Sequence, residues 1–267
     1  MSALRLRLSV MPPERLDLSM LAPATLRGMS EAEIARLPVG TSRAGLRLAD
    51  CFGITMGDVD EIRLEGGSTR LDNVGARLTG GTIRVEGDVG QRLGIGMSHG
   101  EIRIAGSAGP FAGSGAQGGL ILIEGDAGDR AGGALHGHMA GLDGATLVIH
   151  GRAGDRLGDR MRRGLIIAER AGDFAGSRMV AGNIVAGTVG DYAGYAMRRG
   201  TLLLREHGIT VPSFVETGMH RLVFVRLLQR VVRPFAPHLA ALADEDMHRW
   251  AGDFATLGKG EILTPRD

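Results

Sequence analysis

Four groups of residues have types and spacings suited to chemistry. The first is "HGH", His136 and His138. Two histidines two apart on a strand point the same way and can hold a metal ion. No third histidine groups with them, and the nearest carboxylate is Asp143. A surface loop or a contact between subunits therefore accounts for them better than a metal centre. The second group is Asp129, Asp155, Asp173 and Asp191, in "GDR", "GDR", "GDF" and "GDY". Acid–base catalysis needs carboxylates in unlike environments, so that their pKa values separate. Equivalent positions of a repeat are alike, and we read these aspartates as corner residues that accept backbone N–H bonds.

The third group is "GSGAQG", Gly113–Gly118, which matches G-x-G-x-x-G as a string. A dinucleotide site needs that string between a strand and a helix. Here "GGLILIEG" follows, which reads as another strand, so the match is a by-product of the glycine pattern. The fourth group is "MRRG", met twice, with Arg162/Arg163 and Arg198/Arg199. It can form a basic strip: a solvated face, a contact between subunits or an anion-binding surface. Cys51 stands alone, which excludes an intrachain disulfide and argues against cysteine-based zinc or iron–sulfur sites. No Ser/His/Asp or Cys/His arrangement stands out. The sequence thus assigns no catalytic, cofactor-binding or metal-ligating residue.

The elements that carry these groups follow from the glycines. There are 44 in 267 residues, more than twice the usual share of about 7%. Pairs of the form G-x-x-x-G begin at Gly90/Gly94, Gly109/Gly113, Gly128/Gly132, Gly154/Gly158, Gly172/Gly176 and Gly190/Gly194. Their first members are 19, 19, 26, 18 and 18 residues apart. A near-constant period marks a stacked repeat. Seven and five residues before the anchor stand Ile83/Val85, Ile102/Ile104, Ile121/Ile123, Leu147/Ile149 and Leu165/Ile167, while the sixth copy has Asn183/Val185 with Ile184 between them. Seven after it come Met97, Ala116, Leu135, Met161, Met179 and Met197.

"TIRVEG", "EIRIAG" and "LILIEG" have the composition of strands that stop at glycine. A unit of 18–19 residues is too short for a strand–helix–strand crossover of about 30. The expected fold is all-β: a right-handed parallel β-helix of about seven coils, with glycines at the corners. Residues 62–82 read as a degenerate coil. The expected division is 1–60 for N-terminal strands and a short helix, 61–210 for the repeats, and 211–267 for a helical capping or docking segment. "SEAEIARL", 30–37, carries a Ser30/Glu33 capping box, while "LRLRL" and "GLRLADCF" suggest less regular strands. At the other end "MHRLVFVRLLQRVV" reads as an amphipathic helix ending at Pro234, with further helical turns in "PHLAALADEDMHRWAGDF". Such a segment would cover the open end of the last coil or dock a partner.

Net charge is +1, which gives no reason to expect nucleic acid or an anionic membrane as partner. The most apolar window, 222–232, contains two arginines and is far short of the ~20 residues of a membrane span. The N-terminus lacks the apolar stretch of a signal peptide. The expectation is a soluble cytoplasmic protein.

The repeated G-x-x-x-G-x-x-M/L-x-x-G units resemble the GXGXG family. That family covers the C-terminal domain of the glutamate synthase large subunit and the C subunit of formylmethanofuran dehydrogenases. "MSEAEIARLPVG" (29–40), "LRLADCFGI" (46–54) and "MHRWAGDFATLGKGEIL" (247–263) resemble the second group, and within it the bacterial formyltransferase/hydrolase branch of methylotrophs. The resemblance implies a scaffold with no catalytic residue of its own. Its implied partners are a formyltransferase, a metal-dependent amidohydrolase-like subunit and a dehydrogenase-like subunit. Those partners would hold a methanofuran-type carrier, tetrahydromethanopterin and a hydrolase metal. The implied reaction moves a formyl group from formyl-tetrahydromethanopterin to methanofuran and hydrolyses it to formate. A formylmethanofuran dehydrogenase scaffold and a free-standing glutamate-synthase-like domain are the alternatives. A polysaccharide-cleaving β-helix is disfavoured, because only the 128–154 interval carries an insertion from which groove-building loops could come.

Overall fold

The computed structural model describes residues 2–244 and 246–266. Met1, Glu245 and Asp267, which fall in the two flanking segments, lie outside the described residues. The chain opens with strands β1 (Ala3–Leu8) and β2 (Leu16–Asp17). Helices α1 (Pro23–Leu26), α2 (Glu31–Ala35) and α3 (Leu48–Cys51) follow, then β3 (Phe52–Thr55). The repeats supply β4 (Asp58–Glu65), β5 (Leu71–Asp72), β6 (Thr79–Val85), β7 (His99–Ile104) and β8 (Leu120–Ile123). They continue with β9 (Asp143–Ala153), β10 (Arg163–Ala171), β11 (Asn183–Val189) and β12 (Arg199–His207). The chain ends with β13 (Val215–His220), α4 (Val223–Val232), α5 (Pro237–Ala240), a 3-10 turn (Ala241–Asp244), β14 (Met247–Gly252) and β15 (Lys259–Pro265).

The protein is mostly β, and thirteen strands form one mixed sheet in the order β13-β14-β15-β12-β11-β10-β9-β8-β7-β6-β4-β1-β3. Pairing is parallel from β1 through the repeats to β15 and antiparallel at both ends. Each repeat lies in register on the one before. Beyond the strand ends, Val89, Ala108 and Ala127 form successive parallel bridges that lead to Ala153 at the end of β9. The apolar columns face inward as one continuous core, from Leu4 and Leu6 through Ile83, Ile102 and Ile121 to Leu202 and Ile262.

Aspartates hold successive turns together. Asp129 Oδ1 accepts the N–H of Asp155 (3.0 Å), Asp155 that of Asp173 (3.0 Å), Asp173 that of Asp191 (2.9 Å) and Asp191 that of Ile209 (2.8 Å).

Each pair of glycines answers to two constraints, close approach at the first member and positive φ at the second. None of the first members, Gly90, Gly109, Gly128, Gly154, Gly172 and Gly190, has positive φ. They are places of close approach. A Cβ on Gly90, Gly154, Gly172 or Gly190 would overlap Oδ1 of Asp72, Asp129, Asp155 or Asp173, and one on Gly109 or Gly128 would meet the backbone of the turn beneath. The second members, Gly94, Gly113, Gly132, Gly158, Gly176 and Gly194, all have φ between 61° and 75°. Each donates its N–H to a carbonyl of the preceding turn, as Gly94 does to Val74 (2.8 Å) and Gly176 to Leu157 (2.7 Å). They also border the core. A Cβ on Gly94, Gly132 or Gly158 would strike the Cδ1 of Ile121, Ile166 or Ile184, one on Gly176 would strike Leu202, and one on Gly194 would strike Met197 and Phe214.

Positive φ is not reserved for glycine. Arg92, Phe111, Arg130, Arg156, Phe174 and Tyr192, each two residues after a first glycine, have φ between 57° and 64°. A left-handed residue costs about 1–2 kcal/mol. Each of these places its N–H on a carbonyl of the next turn, as Arg156 does on Asp173 (2.8 Å) and Phe174 on Asp191 (2.8 Å).

Three details differ from the sequence reading. Counting back from the anchor glycine fails at β10. There Ile166 pairs with Leu147 and Ala168 with Ile149, with a register irregularity between Ala168 and Arg170. The interior pairs are therefore Ile166/Ala168 and, in the next copy, Ile184/Ala186, not Leu165/Ile167 and Asn183/Val185. The 18-residue units lack one residue between strand and glycine, and a one-residue slip exchanges the two faces of a strand. Second, "GLRLADCF" forms helix α3 and only then strand β3, rather than strand throughout. Third, helix occupies 223–232, 237–240 and, as a 3-10 turn, 241–244, while 215–220 and 247–252 are strands. Met219 and His220 pair with His248 and Met247, and β14 is sandwiched between β13 and β15. Sheet pairing here outweighs helical periodicity. The open end of the stack is met by β15 on β12, while α4 and α5 pack on the flank of the sheet.

That flank has a sharp boundary. One outward column runs Arg5, Arg63, Arg84, Arg103, Leu122, Val148, Ile167, Val185, Leu203, Leu263 in continuous register. Its aliphatic part forms a second apolar cluster with Val225, Leu228, Val232 and Leu239 of the helices. The arginine part faces outward beside glutamates, with ion pairs Arg63–Glu86, Arg103–Glu101 and Arg84–Glu61 (3.7 Å). No helix among the described residues is long and apolar enough to cross a membrane.

Candidate interaction surfaces

The insertion between the third and fourth copies makes an exposed loop that carries His136 and His138. The two are not on a strand. The His136 ring sits edge-on to Phe111, centroids 5.3 Å apart, and the His138 carbonyl accepts Arg160 Nη1 (3.1 Å). Asp143 is engaged elsewhere: it accepts Arg163 Nε (2.8 Å) and raises the pKa of that guanidinium. Among the described residues no three His, Cys, Asp or Glu side chains group as a metal site.

The loop overhangs a recess of about 320 Å³ that the sequence reading missed, lined by Arg130, His136, His138, Asp159, Arg160 and Arg178. Asp159 is fully buried. It accepts Ser177 Oγ (2.9 Å), Arg178 Nε and Nη2 (2.8 and 2.5 Å) and Arg130 Nη1 (3.4 Å). Burying a carboxylate is tolerable only with such partners. The signal lay in "GDRMRRG", where an acid precedes the arginine at a position that is Ser114 or Ser177 in other copies. On the far side of the loop a larger cleft, about 670 Å³, runs to the N-terminal segment, between His138 and Met20, with Arg77, Arg92, Gly96 and Gly115 along it.

The structure does not bring the remaining candidates together as a reaction centre. Asp129, Asp155, Asp173 and Asp191 spend an oxygen each on backbone N–H groups. Arg163 is paired with Asp143 (2.8 Å), and Arg163 and Arg199 begin strands β10 and β12, which β11 separates in the sheet. "GSGAQG" leads into strand β8, not a helix. Cys51 is buried, and burial pushes its thiol pKa up.

At the C-terminal flank, α4 buries Val225, Leu228 and Val232 and turns Val223, Phe224, Leu227 and Val231 outward. Together these features define a class: a repeat-stacked, mostly β protein that commits its buried carboxylate and its aspartate ladder to structure and displays apolar and charged faces suited to contact.

No family model matches the chain. It is 58% identical, over 266 residues, to the C subunit of the formyltransferase/hydrolase complex Fhc of Methylorubrum extorquens, covering 99% of this chain and all of that one. It also matches a chain in the X-ray crystal structure of the formyltransferase/hydrolase complex (FhcABCD) of the same organism in complex with methylofuran. The TM-score is 0.96 at 57% identity, covering 98% of this chain and all of that one. The chain belongs to the family formed by the C subunits of formyltransferase/hydrolase complexes.

Proposed function

We propose that this chain is the non-catalytic scaffold subunit of a formyltransferase/hydrolase complex. The complex passes a formyl group from formyl-tetrahydromethanopterin to a methanofuran-type carrier and hydrolyses it to formate. The observation that carries the reading is full-length likeness at 58% identity to a subunit of such a complex, in a chain whose buried carboxylate and aspartate ladder are committed to structure. On this reading the formyltransferase, the metal-dependent amidohydrolase-like subunit and a dehydrogenase-like subunit are the partners, and they hold the carrier, the pterin and the metal.

The stacked parallel repeats support a finer fold, a right-handed parallel β-helix of the GXGXG type whose paired glycines are structural. They also support a division into an N-terminal lead-in (1–60), the repeats (61–210) and a C-terminal covering and docking segment (211–267). A cytoplasmic location goes with this reading. The test is purification of the tagged chain from its own cell with quantitative identification of what accompanies it. Formyltransferase and amidohydrolase subunits in fixed ratio to the chain are expected. The chain recovered alone, folded and soluble, would overturn the reading.

A further inference from the structure

The exposed apolar surface of the molecule is unevenly placed. Among the described residues, eight of the sixteen large hydrophobic side chains that are exposed fall between residues 215 and 257, about a sixth of the chain. Four of them are on one ten-residue helix. On α4, Phe224, Leu227 and Val231 follow at i, i+3 and i+7, one stripe of a helix. Val223 (79% exposed) stands beside Leu227 (59%) and Val231 (52%). A second stripe, Val225, Leu228 and Val232, is buried against the outer column of the sheet. Helix α4 is therefore apolar on two faces, and the sheet uses one.

The charge beside the open stripe has one sign. Arg226, Arg230 and Arg233 stand at i, i+4 and i+7 next to it, and Arg221 precedes the helix. The helix contains no acidic residue, and none of these four arginines makes an ion pair among the described residues. On the outer face of the sheet, by contrast, Arg63, Arg84 and Arg103 are each matched by a glutamate. An apolar stripe rimmed by guanidiniums without such partners fits a surface with an apolar centre and a carboxylate rim.

The neighbouring open edge of the sheet does not offer the alternative of strand addition. Edge strand β13 has a register irregularity between Glu216 and Met219, with Gly218 at φ 84°, and such irregularities blunt an edge. The helix face is what remains.

We infer that the outward stripe of α4, centred on Leu227, is the docking site for another subunit of the complex, one that presents an apolar patch rimmed by aspartate and glutamate. The inference rests on the scaffold reading. The covered stripe fixes the helix on the sheet and the open stripe carries the partner, so α4 is a two-sided adhesive strip. Leu227 and its apolar neighbours supply affinity, and the arginines supply orientation and salt dependence.

The test is co-expression of the full-length chain, tagged, with the A, B and D subunits, comparing wild type with L227D/V231D and with R226E/R230E. All four positions are exposed, so each variant should keep the wild-type melting temperature. The wild type is expected to recover all three subunits. L227D/V231D should lose at least one of them tenfold or more, and R226E/R230E should lose the same one to a degree that grows with dilution of salt. Recovery of every subunit by L227D/V231D at wild-type ratio overturns the inference and leaves the scaffold reading standing. Failure of the wild type itself to recover subunits overturns the scaffold reading and this site with it. Normal assembly together with loss of binding to vesicles of anionic phospholipid would overturn it in favour of a membrane surface.

Discussion

Gly172 and Asp155 should be energetically coupled through one hydrogen bond. Asp155 Oδ1 accepts the N–H of Asp173 at 3.0 Å, and a Cβ on Gly172 would overlap that same oxygen. Asp155→Ala removes one partly exposed bond, about 1 kcal/mol. In Gly172→Ala the new methyl forces the carboxylate off Asp173, which costs the same ~1 kcal/mol. It also presses on the Asp155 backbone N at 3.0 Å, for about 1 kcal/mol more. The φ of Gly172 is not positive, so alanine carries no left-handed strain there. Its effect on the unfolded chain is the same in both backgrounds and cancels in the cycle. The double variant has one bond to lose, so it should cost about 2 kcal/mol where the single costs sum to about 3, a coupling near 1 kcal/mol. At this chain length 1 kcal/mol shifts Tm by about 2–4 °C. Thermal unfolding should therefore show losses of about 2–4 °C for D155A and about 4–8 °C for G172A. The double variant should match G172A rather than the sum. Amide exchange supplies the local readout, since both single variants should lose protection at Asp173. Strict additivity, or a protected Asp173 amide in G172A, would refute the view that the glycine exists to make room for the aspartate.

Other perturbations separate the remaining contacts. Asp159→Asn leaves Arg178 and Arg130 facing a neutral amide and should cost about 2–3 kcal/mol, less than a fully buried pair because both arginines keep some solvent; urea unfolding reads it. Leu203→Arg puts a charge beneath α4 and α5, and protease should then cut within 223–240 while the repeats resist cleavage. Glu33 is held below the ordinary carboxylate range, first by the Ser30 backbone N–H (2.7 Å) and then by its hydroxyl (2.8 Å). Its folded pKa is depressed, so its contribution is present above the unfolded value of about 4.3 and is lost as pH falls through the folded value. NMR titration should give a midpoint below the ordinary one that Ser30→Ala only partly restores; a midpoint at the ordinary value in the wild type would contradict the contact.

The capping residues show how sequence and structure divide the work. Ser30 and Glu33 mark the start of α2 because the carboxylate reaches back three residues, a purely local event. The serine hydroxyl donates to that same carboxylate, so the pair closes from the glutamate side. Asp159 was illegible for the opposite reason. Its partners Arg130, Ser177 and Arg178 come from the turns on either side, and no local pattern reports who stands above or below. The same holds for Arg156 and Phe174, whose positive φ is stabilised by carbonyls of the next turn. Propensity counts such positions against arginine and phenylalanine, and only stacking offsets the cost.

The outer column shows that one long-range fact was nevertheless written in the chain. In each strand the residue between the two inward positions is Arg63, Arg84 and Arg103, then Leu122, Val148, Ile167, Val185, Leu203 and Leu263. A solvent-facing column has no reason to turn aliphatic at the fourth repeat strand and stay so for six strands. The change marks where a covering element begins, and α4, α5 and the following turn lie there. It was hidden by the anchor glycine. With Gly172 and Gly190 as the origin, the short units place Leu165 and Asn183 in the inner column, and Asn183 looks like an unexplained polar residue in a core. Moving the count by one residue puts Ile166 and Ile184 inside and Ile167 and Val185 outside. The anomaly then disappears, and the aliphatic stripe becomes continuous. The strand fixes the frame, because its side chains alternate strictly between core and surface. The glycine corner does not, because the bulge between Ala168 and Arg170 absorbs the missing residue. Register read from the strands would have found both the core and the docking place of the C-terminal helices.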